Sequence, residues 1–179
     1  MTETSAGRLA TIVSLAASPS RRALTEPSAP PVDNPSTPEK VALGKALYHD
    51  ASLSKNGNLS CASCHDLGTY GVDNKPTSPG SDGKNGERNT PTVYNAHRQF
   101  VQFWDGRSPT VEERSLQPVL NPVEHGLADE AALVGKMKAK PELVDGFQKA
   151  FPGSGDPVTV ANFKLAVGAT NYAGGLLRN

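Results

Sequence analysis

Apolar side chains recur with helical spacing in two parts of the chain and lose any regular spacing between them. In the first part, Ser36 with Glu39 three residues later, and Pro38 in the first turn, predict the start of a helix. The apolar positions that follow recur every three or four residues. Gly44 and Tyr48, one turn apart, form a small-then-aromatic pair that predicts a close crossing by another helix.

The second part of the chain predicts four further helices, each with an apolar stripe. Their predicted ranges are 110–117, 129–138, 141–151 and 159–172. The last of them is the expected partner for the face that carries Gly44. Met137 lies on an apolar stripe and is expected in the core. The sequence therefore predicts a mainly α, loop-rich fold with little β-sheet.

Residues 51–101 show neither the apolar spacing of a helix nor that of a strand, and they are rich in Gly, Asn, Ser and Pro. A stretch of about fifty residues without secondary structure is uncommon inside a compact domain. The segment therefore needs something to pack around, and both cysteines of the chain lie in it.

Composition and charge narrow the class of protein. In 179 residues, eighteen Lys and Arg balance eighteen Asp and Glu, so neither nucleic acid nor an anionic membrane is an expected partner. No apolar run approaches the roughly 20 residues of a membrane span. Residues 9–17 form a short, weakly apolar run that suits either a poor secretory segment or a disordered arm. We expect residues 1–36 to be such an arm or weak signal segment, and 37–179 to form one domain.

Cys61, Cys64 and His65 form a C-x-x-C-H motif, for which three interpretations compete. A structural zinc site would need four ligands, and the remaining histidines lack a finger-like spacing. A thioredoxin-type redox pair belongs at the start of a βαβ unit, which the flanking loop does not provide. Covalent haem attachment uses both thiols, as thioethers to the vinyl groups, and the imidazole as axial ligand. The motif favours one haem c, with His65 as proximal ligand.

Five motifs in one order carry a family resemblance: LGKALYHDASLSKNGNLSCASCH, GVDNKPTSPG, GERNTPTVYNA, QFWDGR and NPVEHG. Together they resemble the N-terminal domain of the bacterial di-haem cytochrome c peroxidases and their MauG-like relatives. The resemblance covers roughly residues 40 to 172. It implies a cytochrome c-like helical fold wrapped around one covalently attached haem, the peroxide-binding one, while a second domain of the family carries an electron-donating haem.

The resemblance also implies roles for individual residues. Glu124 matches the distal acid/base carboxylate, and Trp104 matches the tryptophan between the two haems. Asn89 matches a side chain at the interdomain calcium site, so calcium is a possible second cofactor. Asp105 and Arg107 belong to the Trp104 motif and are expected to support it structurally.

Three positions depart from the family's pattern: Ser81, Arg114 and His125, which replaces the methionine usual after the glutamate. Ser81 stands where many members have a second, switching histidine ligand. His97 and His125 are candidate sixth ligands of the iron, although an ordinary polar role is expected first for each. Arg114 replaces the usual distal glutamine, where it is expected either to lower the pKa of Glu124 or to point outward.

No second C-x-x-C-H occurs in the sequence, so the electron-donating haem is expected to be absent from this chain. The leading expectation is a mono-haem domain that reduces hydrogen peroxide to water with electrons from a small redox protein, a cytochrome c or a cupredoxin. A second haem domain or subunit is a possible further partner. The alternative is an electron-transfer cytochrome without peroxidase activity. Because bacteria attach haem c outside the cytoplasm, the expected location is the periplasm.

Overall fold

The computed structural model describes residues 30–174 and is helical. The helices are α1 (Pro38–His49), α2 (Cys61–Cys64), α3 (Val111–Leu120), α4 (Glu130–Lys138), α5 (Pro141–Ala150) and α6 (Val160–Tyr172). Short 3-10 turns cover Ala51–Leu53, Leu67–Thr69 and Ala96–Arg98. Within residues 30–174 there is no β-strand, only two isolated bridges in the long loop. The prediction of a mainly α, loop-rich fold is confirmed.

Helices α3, α4 and α6 of the second half begin at side-chain caps, whereas α5 has none. Thr110, Asp129 and Thr159 each accept a hydrogen bond from the backbone amide three residues later, at 3.2, 2.8 and 3.1 Å. Each predicted range began at the capping residue rather than at the first helical one, so the predicted helices are correct to within a turn.

The predicted cap of α1 is wrong by one residue. Thr37, not Ser36, caps the helix, and its hydroxyl accepts a 3.3 Å hydrogen bond from the amide of Lys40. The Ser36 hydroxyl instead donates to the carbonyl oxygen of Ala169 at 2.9 Å. Both Ser and Thr are favourable N-cap residues, with Ser somewhat preferred, and the hydrogen bond of Ser36 to α6 leaves Thr37 as the cap.

Helix α6 packs along both α1 and α3. A methyl group at Gly44 would lie 1.9 Å from the Thr170 hydroxyl oxygen and 2.4 Å from the Ala166 carbonyl oxygen. Only glycine leaves room for this approach, so the predicted partnership between the Gly44 face and the last helix is confirmed. The fully buried side chains of Met137, Phe147 and Phe163 fill the adjoining core.

The packed part of the chain begins before residue 37. Asn34 is 2% exposed, and its amide nitrogen donates to Glu112 at 2.9 Å and to the carbonyl oxygen of Leu165 at 3.0 Å. The last residues assigned to the arm are thus held against α3 and α6. The candidate secretory segment at 9–17 lies outside the described residues. Among helices of the described part, none is both long enough and apolar enough to span a membrane.

Candidate functional site

A cavity of about 540 Å³ lies between α1, α3, α6 and the long loop. Eight of the nine site residues expected from the sequence line it: Cys61, Cys64, His65, Asn89, Trp104, Arg114, Glu124 and His125. His97 does not. Residues more than sixty positions apart therefore converge on one space, as the motifs suggested.

Helix α2 presents both thiols to the cavity. Positions three apart on a helix share a face, so Cys61 and Cys64 point the same way. The helix is fixed at its start by a 3.0 Å hydrogen bond from the Ser60 amide to the Ser63 hydroxyl. Burial raises the pKa of Cys61 to about 11 and also raises the pKa of Cys64. Both thiols, which form no disulfide, are thus protonated at neutral pH.

The His65 ring is held by the backbone around it. Its Nδ1 lies 3.3 Å from the carbonyl oxygen of Gly71, and the Tyr48 hydroxyl donates to the carbonyl oxygen of His65 itself. Burial lowers the pKa of His65 to about 4, so the imidazole is neutral at physiological pH. With the proton on Nδ1, the contact with Gly71 is a hydrogen bond, and Nε2 keeps its lone pair for a metal.

These residues fit a covalently attached haem. The two thiols and the imidazole share one cavity, and much of the remaining lining is apolar. Buried apolar side chains of the lining include Leu59, Val111 and Phe163. In residues 30–174, no group of three or more His, Cys, Asp or Glu side chains could hold a bare metal ion, so the zinc interpretation gains no support. The long loop thus closes around a space suited to a flat apolar group.

Glu124 is a half-buried carboxylate in the same cavity. The side-chain amide of Asn121 donates to its Oε1 at 2.8 Å. Burial raises the pKa of Glu124 above the usual range, while the bond from Asn121 and the charges of Arg107 and Arg114 act in the opposite direction. Such a carboxyl exchanges a proton nearer to neutral pH than an exposed one does.

Arg114 points inward, which the sequence left open. Its side chain lines the cavity, the residue is 9% exposed, and Nη1 donates to Oε1 of Gln102 at 3.3 Å. Gln102 is itself buried and donates to the carbonyl oxygen of Ala96 at 2.8 Å. The Phe103 ring lies 5.5 Å from the Arg114 guanidinium carbon and 3.5 Å from that of Arg107.

Trp104 lies at the mouth of the cavity. It is 62% exposed, and its indole nitrogen donates to the backbone carbonyl of Asn89 at 3.0 Å. The next residue, Asp105, pairs with Arg88 at 3.0 Å and with Arg107 at 2.9 Å. The rim therefore combines an exposed aromatic ring with a small network of ion pairs.

The two candidate sixth-ligand histidines differ in position. His125 is 5% exposed, lines the cavity, and has Nδ1 3.1 Å from the carbonyl oxygen of Leu53. His97 lies outside the lining, with Nδ1 2.9 Å from the side-chain oxygen of Asn171 and its ring edge-on to Tyr172. Of the two, only His125 faces the same space as His65.

Ser81 lies behind the cavity wall rather than in it. It is 5% exposed, and its hydroxyl donates to Asn58 Oδ1 at 2.8 Å and accepts from the Asn56 amide at 3.1 Å. Its own amide donates to the carbonyl oxygen of Glu124 at 2.7 Å. A Cβ at Gly80 would lie 2.2 Å from the Val123 carbonyl oxygen, so the two loops touch at the backbone.

Sequence reasoning missed several residues that shape the site. Tyr48 was noticed only for the helix crossing, although its hydroxyl also holds the His65 backbone. Gln102 and Phe103 belong to the quoted QFWDGR motif, but the sequence analysis gave a role only to the later residues of that motif. Phe103 adopts a left-handed backbone with φ 65°, which its amino-acid type does not suggest.

Comparisons with known proteins show the family to which the chain belongs. A model of the family described as di-haem cytochrome c peroxidase matches residues 38–172. The chain is 43% identical over 136 residues to cytochrome c551 peroxidase of Pseudomonas aeruginosa, covering 75% of this chain and 39% of the relative. It is 41% identical over 139 residues to cytochrome c peroxidase Ccp of Escherichia coli, covering 76% and 30%.

A solved structure shows that the fold is also shared with this group of proteins. The crystal structure of a MauG-like protein associated with microbial copper homeostasis superposes with a TM-score of 0.75 at 33% identity, covering 82% of this chain and 43% of that one. The chain therefore belongs to the di-haem cytochrome c peroxidase family, which confirms the resemblance seen in the sequence. It spans less than half the length of the relatives that it matches.

Proposed function

We propose that this member of the di-haem cytochrome c peroxidase family carries one haem c at which hydrogen peroxide is reduced to water. The observation that carries the proposal is the shared cavity. Its wall at α2 holds the two thiols and the His65 imidazole, and its lining also includes Glu124 and Arg114. A binding motif and an acid/base group thus face the same space.

The residues of the C-x-x-C-H motif would hold the group. Cys61 and Cys64 would form the thioether bonds and His65 would ligate the iron, with its ring oriented by the Gly71 carbonyl oxygen. When bound, haem c supplies a redox-active iron that takes up peroxide and passes two electrons to it. The protein supplies binding, orientation and proton transfer.

Glu124 would move the proton. Reduction of one peroxide to two waters consumes two electrons and two protons and breaks the O–O bond. The ionised carboxylate would take the proton from one peroxide oxygen and return it to the oxygen that leaves. Asn121 fixes the carboxyl through its 2.8 Å hydrogen bond, and the Arg114 cation favours the ionised form.

Electrons would reach the site near Trp104. The exposed indole at the cavity mouth, anchored to the Asn89 carbonyl oxygen, would give a donor protein an aromatic contact next to the cavity. The donor would be a small redox protein, a cytochrome c or a cupredoxin, that delivers one electron at a time. A second haem domain or subunit is a further candidate for this role.

Calcium and cellular location are parts of the same proposal. The Asn89 side chain is exposed at the rim, where it could join an ion shared with another domain. Covalent haem attachment in bacteria takes place outside the cytoplasm, so the periplasm is the proposed location.

A second function is supported by His125. Its imidazole faces the cavity and has Nδ1 near a backbone carbonyl oxygen, as His65 has. If His125 filled the second axial position, the domain would be an electron-transfer cytochrome that binds no peroxide.

The optical spectrum of the ferric holoprotein separates these functions. An open axial position gives a high-spin charge-transfer band that cyanide abolishes, and steady-state turnover with peroxide and reduced cytochrome c should follow. A low-spin spectrum that neither cyanide nor peroxide changes would overturn the peroxidase proposal. In that case His125→Ala should open the site, while His97→Ala, outside the cavity, should leave the spectrum unchanged.

A further inference from the structure

Arg114 carries a cavity-facing charge that no carboxylate neutralises directly. The residue is 9% exposed, and no Asp or Glu oxygen of the described residues lies within 4.0 Å of its guanidinium. Within residues 30–174 the guanidinium makes one hydrogen bond, to Gln102 at 3.3 Å. A guanidinium has five N–H donors, so most of them remain for a group inside the cavity.

The other charged residues of this region are already engaged. Nη1 of Arg107 contacts both carboxylate oxygens of Asp105 at 2.9 Å, and its Nε donates to Gln117 at 3.0 Å. Glu124, the proposed acid/base carboxylate of the same cavity, accepts its hydrogen bond from the side-chain amide of Asn121. Among the arginines that line the cavity, Arg114 is therefore the one that forms no ion pair within 4.0 Å in residues 30–174, and Glu124 influences it only at longer range.

A buried charge without a partner is unstable relative to one that is paired. The guanidinium also presents a flat set of donors that suits an anion with several lone pairs. A neutral ligand would accept hydrogen bonds from the donors but would bring no negative charge into direct contact with the guanidinium.

We infer that the Arg114 guanidinium is a binding site for a small monovalent anion on the side of the haem cavity that Glu124 lines. The inference rests on the proposed haem site and deepens it. Azide, nitrite and the hydroperoxide anion share the required chemistry, a single negative charge with exposed lone pairs. Hydroperoxide is also what remains when Glu124 has taken one proton from hydrogen peroxide. Glu124 would thus remove the proton, and Arg114 would bind the anion that remains.

Ligand titrations of the ferric holoprotein test this assignment. Azide serves as the anionic probe and imidazole, at about pH 8 where it is neutral, as the uncharged one. Arg114→Gln keeps hydrogen-bonding atoms but removes the charge, and it should raise the azide Kd about tenfold or more. The imidazole Kd should change by less than about twofold, because the neutral ligand does not use the charge.

Two further variants complete the design. Arg107→Gln is the matched control, since the charge that it removes is already paired with Asp105, and its azide Kd should stay within about threefold of the wild type. Arg114→Ala should bind azide as weakly as Arg114→Gln and should recover affinity when millimolar methylguanidinium is added. This rescue distinguishes a missing cation from a damaged cavity.

Three outcomes of these titrations would overturn the anion site at Arg114. An equal azide Kd in wild type and Arg114→Gln overturns the inference, and a shifted midpoint potential in that variant would then assign the guanidinium to the carboxylates of the haem. Equal losses for azide and imidazole, or an equal loss in Arg107→Gln, also overturn it. If wild type binds neither ligand, the open axial position of the proposed function fails as well.

Discussion

The backbone amide of Ser81 donates a 2.7 Å hydrogen bond to the carbonyl oxygen of Glu124. The Ser81 hydroxyl is hydrogen-bonded in turn to Asn56 and Asn58. The loop that carries the proposed acid/base carboxylate is thus held by the Ser81 segment, which residues 56–58 hold in place. Where many family members are expected to have a movable histidine, this chain has a buried serine that fixes the neighbouring backbone.

Ser81→Ala removes both hydroxyl contacts and leaves the Asn58 side-chain oxygen and the Asn56 amide without this partner. We expect the free energy of unfolding to fall by about 1–3 kcal/mol, the usual cost of buried groups that lose a hydrogen bond. Denaturant unfolding of the holoprotein measures it. Ser154→Ala, at an exposed position with no side-chain bond, should change stability by less than about 0.5 kcal/mol. Equal effects in the two variants would show that the Ser81 contacts are not stabilising.

Glu124→Gln should slow the reaction with peroxide by about 10²- to 10⁴-fold, the range for loss of a positioned acid/base group. Stopped-flow kinetics of the reduced holoprotein with peroxide measures the rate. Because glutamine keeps an acceptor for Asn121, the haem spectrum should not change. Glu113→Gln, on α3 and paired with Lys164 at the surface, is the control and should react at the wild-type rate. A rate unchanged in Glu124→Gln would remove the carboxylate from the mechanism.

The pH profile of the same reaction should report the Glu124 carboxyl. The ionised form accepts the proton, so the rate constant is highest above the pKa of the folded protein and falls as pH drops through it. Burial raises the pKa of Glu124, which places the fall above the usual glutamate range. Arg114→Gln should move the fall to still higher pH, because the cation lowers this pKa. A flat profile across the acidic range in wild type would contradict the assignment.

Gly44→Ala should destabilise the protein although alanine is the better helix former. The added methyl group would lie 1.9 Å from the Thr170 hydroxyl oxygen, and such overpacking typically costs about 1–3 kcal/mol. Gly135→Ala, in α4 with no atom within 4 Å of the new methyl group, is the matched control and should gain about 0.5–1 kcal/mol. Thermal unfolding of both variants checks the opposite signs. A neutral Gly44→Ala would mean that the helices can separate at no cost.

The sequence predicted the helices because their signals are local. Apolar spacing and a capping residue at Thr110, Asp129 and Thr159 suffice to place a helix. The choice between Ser36 and Thr37 could not be made locally, since it depends on a hydrogen bond to Ala169 in the last helix. Four-residue α2 is too short to show a period at all.

The candidate site was predictable only where motifs carry it. Cys61, Cys64 and Glu124 belong to quoted motifs, and they line the same cavity. The inward direction of Arg114 depends on Gln102 and Phe103, which reach it from a loop of irregular backbone. No pattern along the chain predicts these contacts. Each contact joins a helix to the irregular loop, and the distance between them depends on the conformation of that loop.

The crossing of α1 and α6 at Gly44 has a consequence for maturation. The chain between these two contact points holds both thiols, the proposed iron ligand and the proposed acid/base residue, so this pocket exists only after one very long loop has closed. Closing such a loop is slow and entropically unfavourable. We therefore expect thioether formation to take place on an open polypeptide, with docking of the terminal helices sealing the prosthetic group inside as the last step of assembly.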